Sequence, residues 1–358
     1  MALINIFAGN KAFKHIKREG FHADMFRFML GASGGPKWFV LAGLDRYIFP
    51  EFFANRSTPL DIVGSSAGAF RFACFSQHDP LGAINRLADR YSHTVYSDKP
   101  TAREITQKGM ALLDYVLQEE GVSEIVNNPN IHAHFVVARC RGLTQFELRP
   151  LQLAGLAASA GANLVKRRWL QRFYQRYVFS NRLSTLKIND PEGMPTHKIE
   201  LTNQNLKSAL MASGSIPVVI EGIRDIPGAP PGMYRDGGII DYHFDLKFTT
   251  ESDDDTSLVL YPHFYANPAP GWFDKSIKSR KPHASSYENV VMVVPSPEFV
   301  RMLPYHKIPD RKDFEQMPAP ERIAYWQKVL HETDRLGEAF KYAVETQQVV
   351  DEIQPLPF

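Results

Sequence analysis

The sequence predicts an α/β fold built on a mainly parallel central sheet. Three observations point to it. Residues 25–76 run strand, glycine-rich break, helix, strand, tight turn, helix, the alternation that lays strands side by side in one direction. Short apolar runs of strand length recur along the remaining chain, interleaved with stretches of helical spacing. The chain has 358 residues, 44% hydrophobic and 22% charged, an ordinary globular composition with enough apolar material for a sizeable core.

Taken in order, the elements rest on local chemistry. Residues 25–30 (MFRFML) form a strand, broken at 31–37 (GASGGPK). Residues 36–49 carry Phe39, Leu41, Ala42, Leu44 and Ile48 near helical spacing. Pro36 suits their first turn, because its fixed φ is already helical and its missing N–H is not needed there. Residues 60–63 form a second strand, and a second helix runs from Ser66. Further strands are expected at 134–138, 146–148, 198–201, 218–220, 258–261 and 290–294. Helices are expected at 80–90, 123–127, 206–211 and 320–346. The acidic run from Glu251 to Asp255 reads as a solvated loop. Residues 266–283 carry Pro, Gly and Lys without periodicity and read as a surface excursion. There is no internal repeat.

A net charge of +2 is too small to imply a nucleic-acid partner, and none is expected. The two cysteines, Cys74 and Cys140, lie in or beside apolar stretches and read as buried free thiols in a reducing compartment. The N-terminus lacks the pattern of a Sec signal peptide. No stretch approaches the roughly 18 uninterrupted apolar residues of a membrane span. The expectation is a soluble protein, cytoplasmic by default, that can still touch a membrane surface.

The chemistry concentrates in "DIVGSSAGAF", residues 61–70. Gly64-Ser65-Ser66-Ala67-Gly68 has the spacing Gly-x-Ser-x-Gly between a strand and a helix. There the central serine sits on a sharp turn with its hydroxyl exposed, and Gly64 and Gly68 avoid clashes across that turn. The helix beginning at Ser66 brings free N–H groups and a dipole that favour negative charge. An attacked carbonyl needs donors for its oxyanion. Gly34 and Gly35 supply backbone N–H groups that can approach closely, and Lys37 follows them. A plain strand-to-helix turn is the simpler alternative for each stretch. No local pattern singles out a base among the twelve histidines. Arg235-Asp236-Gly237-Gly238 is more pointed, since two glycines behind an aspartate let its carboxylate approach another backbone; an ordinary Asp-Gly turn has the same look.

The order of these stretches resembles the patatin-like phospholipase family: glycine-rich loop, Gly-x-Ser-x-Gly, then Asp-Gly-Gly much later. A fourth stretch, Ala209-Leu210-Met211-Ala212-Ser213-Gly214-Ser215-Ile216-Pro217, is similar to the family's Ala-x-x-Ala-Ser-x-x-x-Pro. The resemblance spans roughly residues 25–245. It implies a three-layer α/β/α fold and a lipid acyl hydrolase working through a Ser66–Asp236 dyad and an acyl-enzyme. It also implies an oxyanion hole at Gly34 and Gly35, no catalytic histidine, no metal and no cofactor. The substrate would be a phospholipid or other acyl lipid. The corresponding division is an N-terminal segment 1–24, a catalytic domain 25–265, and a partly helical C-terminal extension 266–358 packed on that domain. One departure stands out. The family's first loop usually reads Gly-Gly-Gly-x-Arg/Lys-Gly, whereas here Pro36, which cannot donate, follows Gly35, and Trp38 stands in place of the last glycine.

Two other readings stay open from sequence. One is an α/β-hydrolase with a Ser–Asp–His triad, drawing on His263, His306 or His331. The other is a catalytically weak lipid-binding protein. Finally, residues 151–182 combine Lys166, Arg167, Arg168, Arg172, Arg176 and Arg182 with Leu164, Trp169, Leu170, Phe173, Tyr174 and Tyr177. On a helix, Trp169, Phe173 and Tyr177 would share one face, and Arg168, Arg172 and Arg176 a neighbouring one. The stretch reads either as core packing with a solvated basic face or as a peripheral contact with an anionic membrane.

Overall fold

The computed structural model describes residues 3–54, 56, 58–251 and 257–358. Among the described residues the strands are β1 (Ile4–Ala8), β2 (Phe26–Gly31), β3 (Leu60–Ser65), β4 (Ile131–Cys140), β5 (Tyr174–Ser180), β6 (Lys187–Asn189), β7 (Thr196–Glu200), β8 (Ile223–Arg224), β9 (Met233–Asp236), β10 (Lys247–Thr249), β11 (Leu258–Pro262), β12 (Val290–Pro295) and β13 (Gln354–Pro355). All but β6 and β10 join one sheet, ordered β13-β1-β12-β11-β2-β3-β4-β5-β7. The five strands from β12 to β4 are mutually parallel. β1 and β5 flank them antiparallel. Helices surround this mostly parallel sheet, giving the α/β/α arrangement that the sequence implied.

β3 and β12 are buried along their whole length and β4 at every position but Arg139, as expected where helices cover a parallel sheet. β3 (LDIVGS) interrupts its apolar run with Asp61, whose carboxylate accepts from His134 Nε2 on β4 at 3.0 Å. The helix Ala67–Phe75 follows β3 directly. Its Arg71 makes a buried bidentate ion pair with Asp45, at 2.7 and 2.5 Å, and this fixes the helix against its neighbour Ala42–Tyr47.

Several expectations need correction. Residues 146–148 are not a strand; they lead into the helix Arg149–Val165, whose first turn takes Pro150. Residues 218–220 form a turn, because Val218 sits at φ +70°, a left-handed backbone that a strand does not accommodate. The single helix expected over 36–49 is a 3₁₀ segment (Gly35–Leu41) followed by Ala42–Tyr47, wound tightly from a left-handed Gly35 at φ +54°. The helix expected over 320–346 breaks at Thr333 into Ala319–Glu332 and Asp334–Glu345. Residues 164–177 are not one helix. The helix ends at Val165, a 3₁₀ turn covers Arg167–Arg172, and β5 follows. Tyr177 is therefore core, and Arg176 is buried against Asp241 and Asp190. Of the acidic loop read at 251–255, residues 252–255 lie outside the described residues. Cys74 and Cys140 are buried and free.

Candidate active site

Sheets of this kind present their ligand sites beyond the carboxyl ends of the parallel strands. Here β3 ends at Ser65, opposite Val136 of β4. β9 runs the other way along the same edge of β4 and ends with Asp236 opposite Val137. The two strands thus meet tip to tip on adjacent residues of β4, and this register joins side chains 170 positions apart. Ser66 Oγ donates to Asp236 Oδ2 at 2.8 Å.

The turn that carries Ser66 is strained and held. Ser66 sits at φ +54°, ψ −125°, a region that side-chain-bearing residues rarely adopt. Its N–H donates to Ser213 Oγ at 3.0 Å, and Ser213 Oγ donates to the Val136 carbonyl at 2.8 Å. Ser213 thereby ties the elbow to β4. In the sequence it was visible only as a member of the Ala-Ser-x-x-x-Pro stretch. Gly68 passes so close to β2 that a Cβ there would lie 1.8 Å from the Gly31 carbonyl oxygen. Ser65, the other serine of the motif, points away into the fold, where its Oγ receives a hydrogen bond from Ser33 Oγ at 3.1 Å.

Asp236 is fixed from behind. Gly238 N–H donates to Oδ1 at 2.7 Å, leaving Oδ2 for the serine. Gly237 is pressed against β4, where a Cβ would fall 2.3 Å from the Val136 carbonyl oxygen. Burial pushes the Asp236 carboxyl up to about 6, against the pull of the Gly238 N–H, the Ser66 hydroxyl and the charges of Arg311 and Lys275. That value suits a group that must take and return a proton near neutrality.

Gly34 and Gly35 lie at the end of the loop after β2 and line the cavity in front of Ser66. Among the described residues, the N–H groups of Gly34, Gly35 and Ala67 have no acceptor. Ala67, the first residue of the helix behind Ser66, was not singled out by the sequence reading. Its signal is the position immediately after the serine of a Gly-x-Ser-x-Gly turn. Lys37 is ion-paired with Asp310, so it clasps the glycine loop to the 310–312 segment.

Two cavities meet at Ser66 and Gly35. One is apolar, lined by Trp38, Phe70, Leu87, Leu112, Met211 and Ile216, among others. The other, of about 500 Å³, carries charged side chains; Asp236, Lys37, Lys275, Arg311, Asp310 and Glu315 are among its walls. Trp38 is thus part of the apolar wall. The 266–283 excursion and the C-terminal third, which sequence reasoning left outside the site, supply Lys275 and Arg311. Neither cation makes an ion pair among the described residues; Lys275 lies over the Tyr242 ring, 4.7 Å from its centroid. Burial and the neighbouring charges of Lys37 and Arg311 lower the Lys275 pKa.

The three histidines considered for a triad lie elsewhere. His263 is buried with Nδ1 at 2.6 Å from the Tyr265 carbonyl, His306 faces the Arg301 carbonyl, and His331 is exposed. None hydrogen-bonds to Ser66 or Asp236 among the described residues. Nor do the described residues include a group of three His, Cys, Asp or Glu side chains placed to hold a metal ion. No described helix is long and apolar enough to cross a membrane.

No protein-family model matches the chain, and no curated protein sequence matches it. Among solved structures, VipD from Legionella pneumophila aligns over 94% of this chain and 70% of its own, with 13% identity and a TM-score of 0.33. The functional reading therefore rests on the site itself.

Proposed function

We propose that the chain is a serine carboxylic-ester hydrolase of the patatin-like phospholipase type, acting on acyl lipids through Ser66 and Asp236. The observation that carries this reading is the position of the hydrogen-bonded pair at the junction of an apolar cavity and one whose walls carry the cations Lys275 and Arg311. An ester of a fatty acid with a polar alcohol has that same division on either side of its carbonyl carbon. The order of the four motifs over residues 25–245 supports it independently.

The chemistry follows from the geometry. Ser66 Oγ bonds to the carbonyl carbon as its proton passes to Asp236 Oδ2. The oxyanion is met by the N–H groups of Gly34, Gly35 and Ala67. Collapse breaks the ester bond, and the leaving alkoxide takes the proton from Asp236. Water then attacks the acyl-enzyme, passes its proton to Asp236, and the fatty acid departs as Ser66 Oγ recovers a proton. The test is hydrolysis of a panel of phospholipids, lysophospholipids and neutral glycerides by the purified protein, with Ser66→Ala as control. Release of fatty acid from none of them would refute the reading.

Two results are expected alongside. Asp236 must be ionised to accept the proton, so kcat/KM should rise about tenfold per pH unit below about 6 and level off above it. Since Lys275 and Arg311 hold that carboxyl down, Lys275→Gln or Arg311→Gln should move the limb to higher pH. The same two cations should favour an ester whose alcohol half is anionic. Either variant should then raise KM for an anionic phospholipid about tenfold, the scale of one charge-assisted hydrogen bond, while leaving KM for a neutral glyceride unchanged. Equal effects on both substrates would remove the headgroup role of Lys275 and Arg311.

A further inference from the structure

The helix Arg149–Val165 is amphipathic in the wrong sense for a soluble surface. Between residues 150 and 165 it carries no charged side chain, and its three polar side chains, Gln152, Ser159 and Asn163, all face inward. Each is used there. Gln152 Oε1 accepts from Val218 N–H at 2.7 Å, Ser159 Oγ reaches Tyr174 Oη at 3.3 Å, and Asn163 Nδ2 donates to Asp274 Oδ1 at 2.7 Å. The outward face is Leu153, Leu164 and Val165, 47%, 66% and 63% exposed, with alanines and a glycine between them. An ordinary surface helix does the reverse, and a contiguous apolar face left in water marks a docking surface.

We infer that this face seats the protein on an anionic lipid surface. The charges choose this occupant. Arg149 stands exposed at the start of the helix, and Lys166, Arg168 and Arg172 stand exposed just beyond its end. Glu147, the nearby carboxylate, is taken by Arg235 at 2.7 Å. A second copy packed face to face, in either direction, would bring cationic ends against cationic ends. A bilayer of acidic lipids offers acyl chains to the leucines and phosphates to the rim. At about 1.5 Å per residue the helix is also too short to span a bilayer core of about 30 Å, so it lies in the interface plane.

Its anchoring places the face beside the active site. Gln152 binds Val218, next to Ile216 and Pro217 in the cavity wall; Asn163 and Arg167 both bind Asp274, between Trp272 and Lys275 of the same wall. The helix is thus fastened to two lips of the cavity, and docking would set the mouth against the membrane. This purpose rests on the reading of the site as a lipid hydrolase, but the docking itself does not. The surface keeps Arg168 and Arg172 of the arginine stripe read from the sequence and replaces the aromatic stripe with the leucine face, since Tyr177 and Arg176 are buried.

The test is binding, measured on Ser66→Ala protein so that hydrolysis plays no part. In sedimentation with vesicles of phosphatidylcholine alone or with 3 parts in 10 of phosphatidylglycerol, an order-of-magnitude choice of charge density, the protein should bind the acidic vesicles and release them as salt rises. Leu153→Glu with Leu164→Glu should weaken binding at least tenfold. Arg168→Gln and Arg172→Gln should each weaken it about fivefold. All four side chains are exposed, so the fold should survive, as circular dichroism can check. Failure to bind acidic vesicles, equal binding by the leucine variant, or a dimer in light scattering that the leucine variant abolishes would each overturn the inference.

Discussion

Ser66→Ala and Asp236→Asn should each lower kcat for ester hydrolysis by a factor of about a thousand to a million, and the double variant should be little worse than either. The two side chains act as one unit. Without the hydroxyl there is nothing to acylate, and without the carboxylate the proton on Ser66 Oγ has no acceptor at 2.8 Å. A fluorophosphonate should label the wild type at Ser66 and leave Ser66→Ala unlabelled. Labelling at Ser65 would be incompatible with the orientation of that residue, whose hydroxyl is enclosed with Ser33. Changing His263, His306 or His331 should leave turnover within an order of magnitude, whereas a loss of about a thousandfold at any of them would restore the triad reading.

The Asp236 variant also has a stability signature that separates lost chemistry from lost folding. The folded carboxyl titrates near 6, above its ordinary 3.8. Its raised pKa means that the folded protein binds the proton more tightly than the unfolded chain. The resulting stability is fully present below about 3.8 and is lost as pH rises through about 6. At pH 7.5 the wild type therefore holds a buried carboxylate at a cost of order 3 kcal/mol, the equivalent of about two pKa units. Asp236→Asn removes that charge. Its melting temperature should exceed that of the wild type at pH 7.5, and the advantage should vanish near pH 4. A variant that is inactive yet more stable is the expected mark of a strained catalytic site.

The parts of the site that depend on local sequence were legible before the fold was known. A buried strand, a Gly-x-Ser-x-Gly turn and an apolar helix require neighbouring residues only, and β3 and the helix Ala67–Phe75 form where the residues place them. What could not be read is long-range. Nothing near Val136 or Val137 says that β3 and β9 will meet on their edge, and only that register turns two glycine-flanked residues into a hydrogen-bonded pair. Nothing near Lys275 or Arg311 says that they face Asp236. The basic aromatic stretch misled for a related reason. Four-residue spacing of Trp169, Phe173 and Tyr177 suggests a helical face, but the pairing of β5 with β4 overrides it, and Asp241 claims Arg176. The helix Arg149–Val165 was hard to recognise as a surface because its polarity is inverted, and periodicity alone does not say which face is wet.

Gly34→Val and Gly35→Val should each reduce kcat by about a hundredfold, the scale of one lost oxyanion donor, and lower the melting temperature by only a few degrees. The two variants act for different reasons. Gly34, at φ 176°, lies outside the left-handed region, but its Cβ would lie 2.6 Å from the buried Phe264 ring. The loop must move, and the Gly34 N–H moves with it. Gly35 is the opposite case. A Cβ there meets nothing closer than Tyr91 Oη at 3.9 Å, but φ is +54°. A β-branched residue resists that conformation by roughly 1–2 kcal/mol, so the peptide will rotate and turn its N–H from the cavity. This difference supplies an internal control. Asn tolerates left-handed backbone far better than Val, so Gly35→Asn should recover most of the turnover lost in Gly35→Val. No such rescue applies at Gly34, where Asn would meet Phe264 as Val does. Near-wild-type turnover in both valine variants would take the oxyanion away from the glycine loop and leave the Ala67 N–H, at the head of the helix behind Ser66, as its remaining backbone donor.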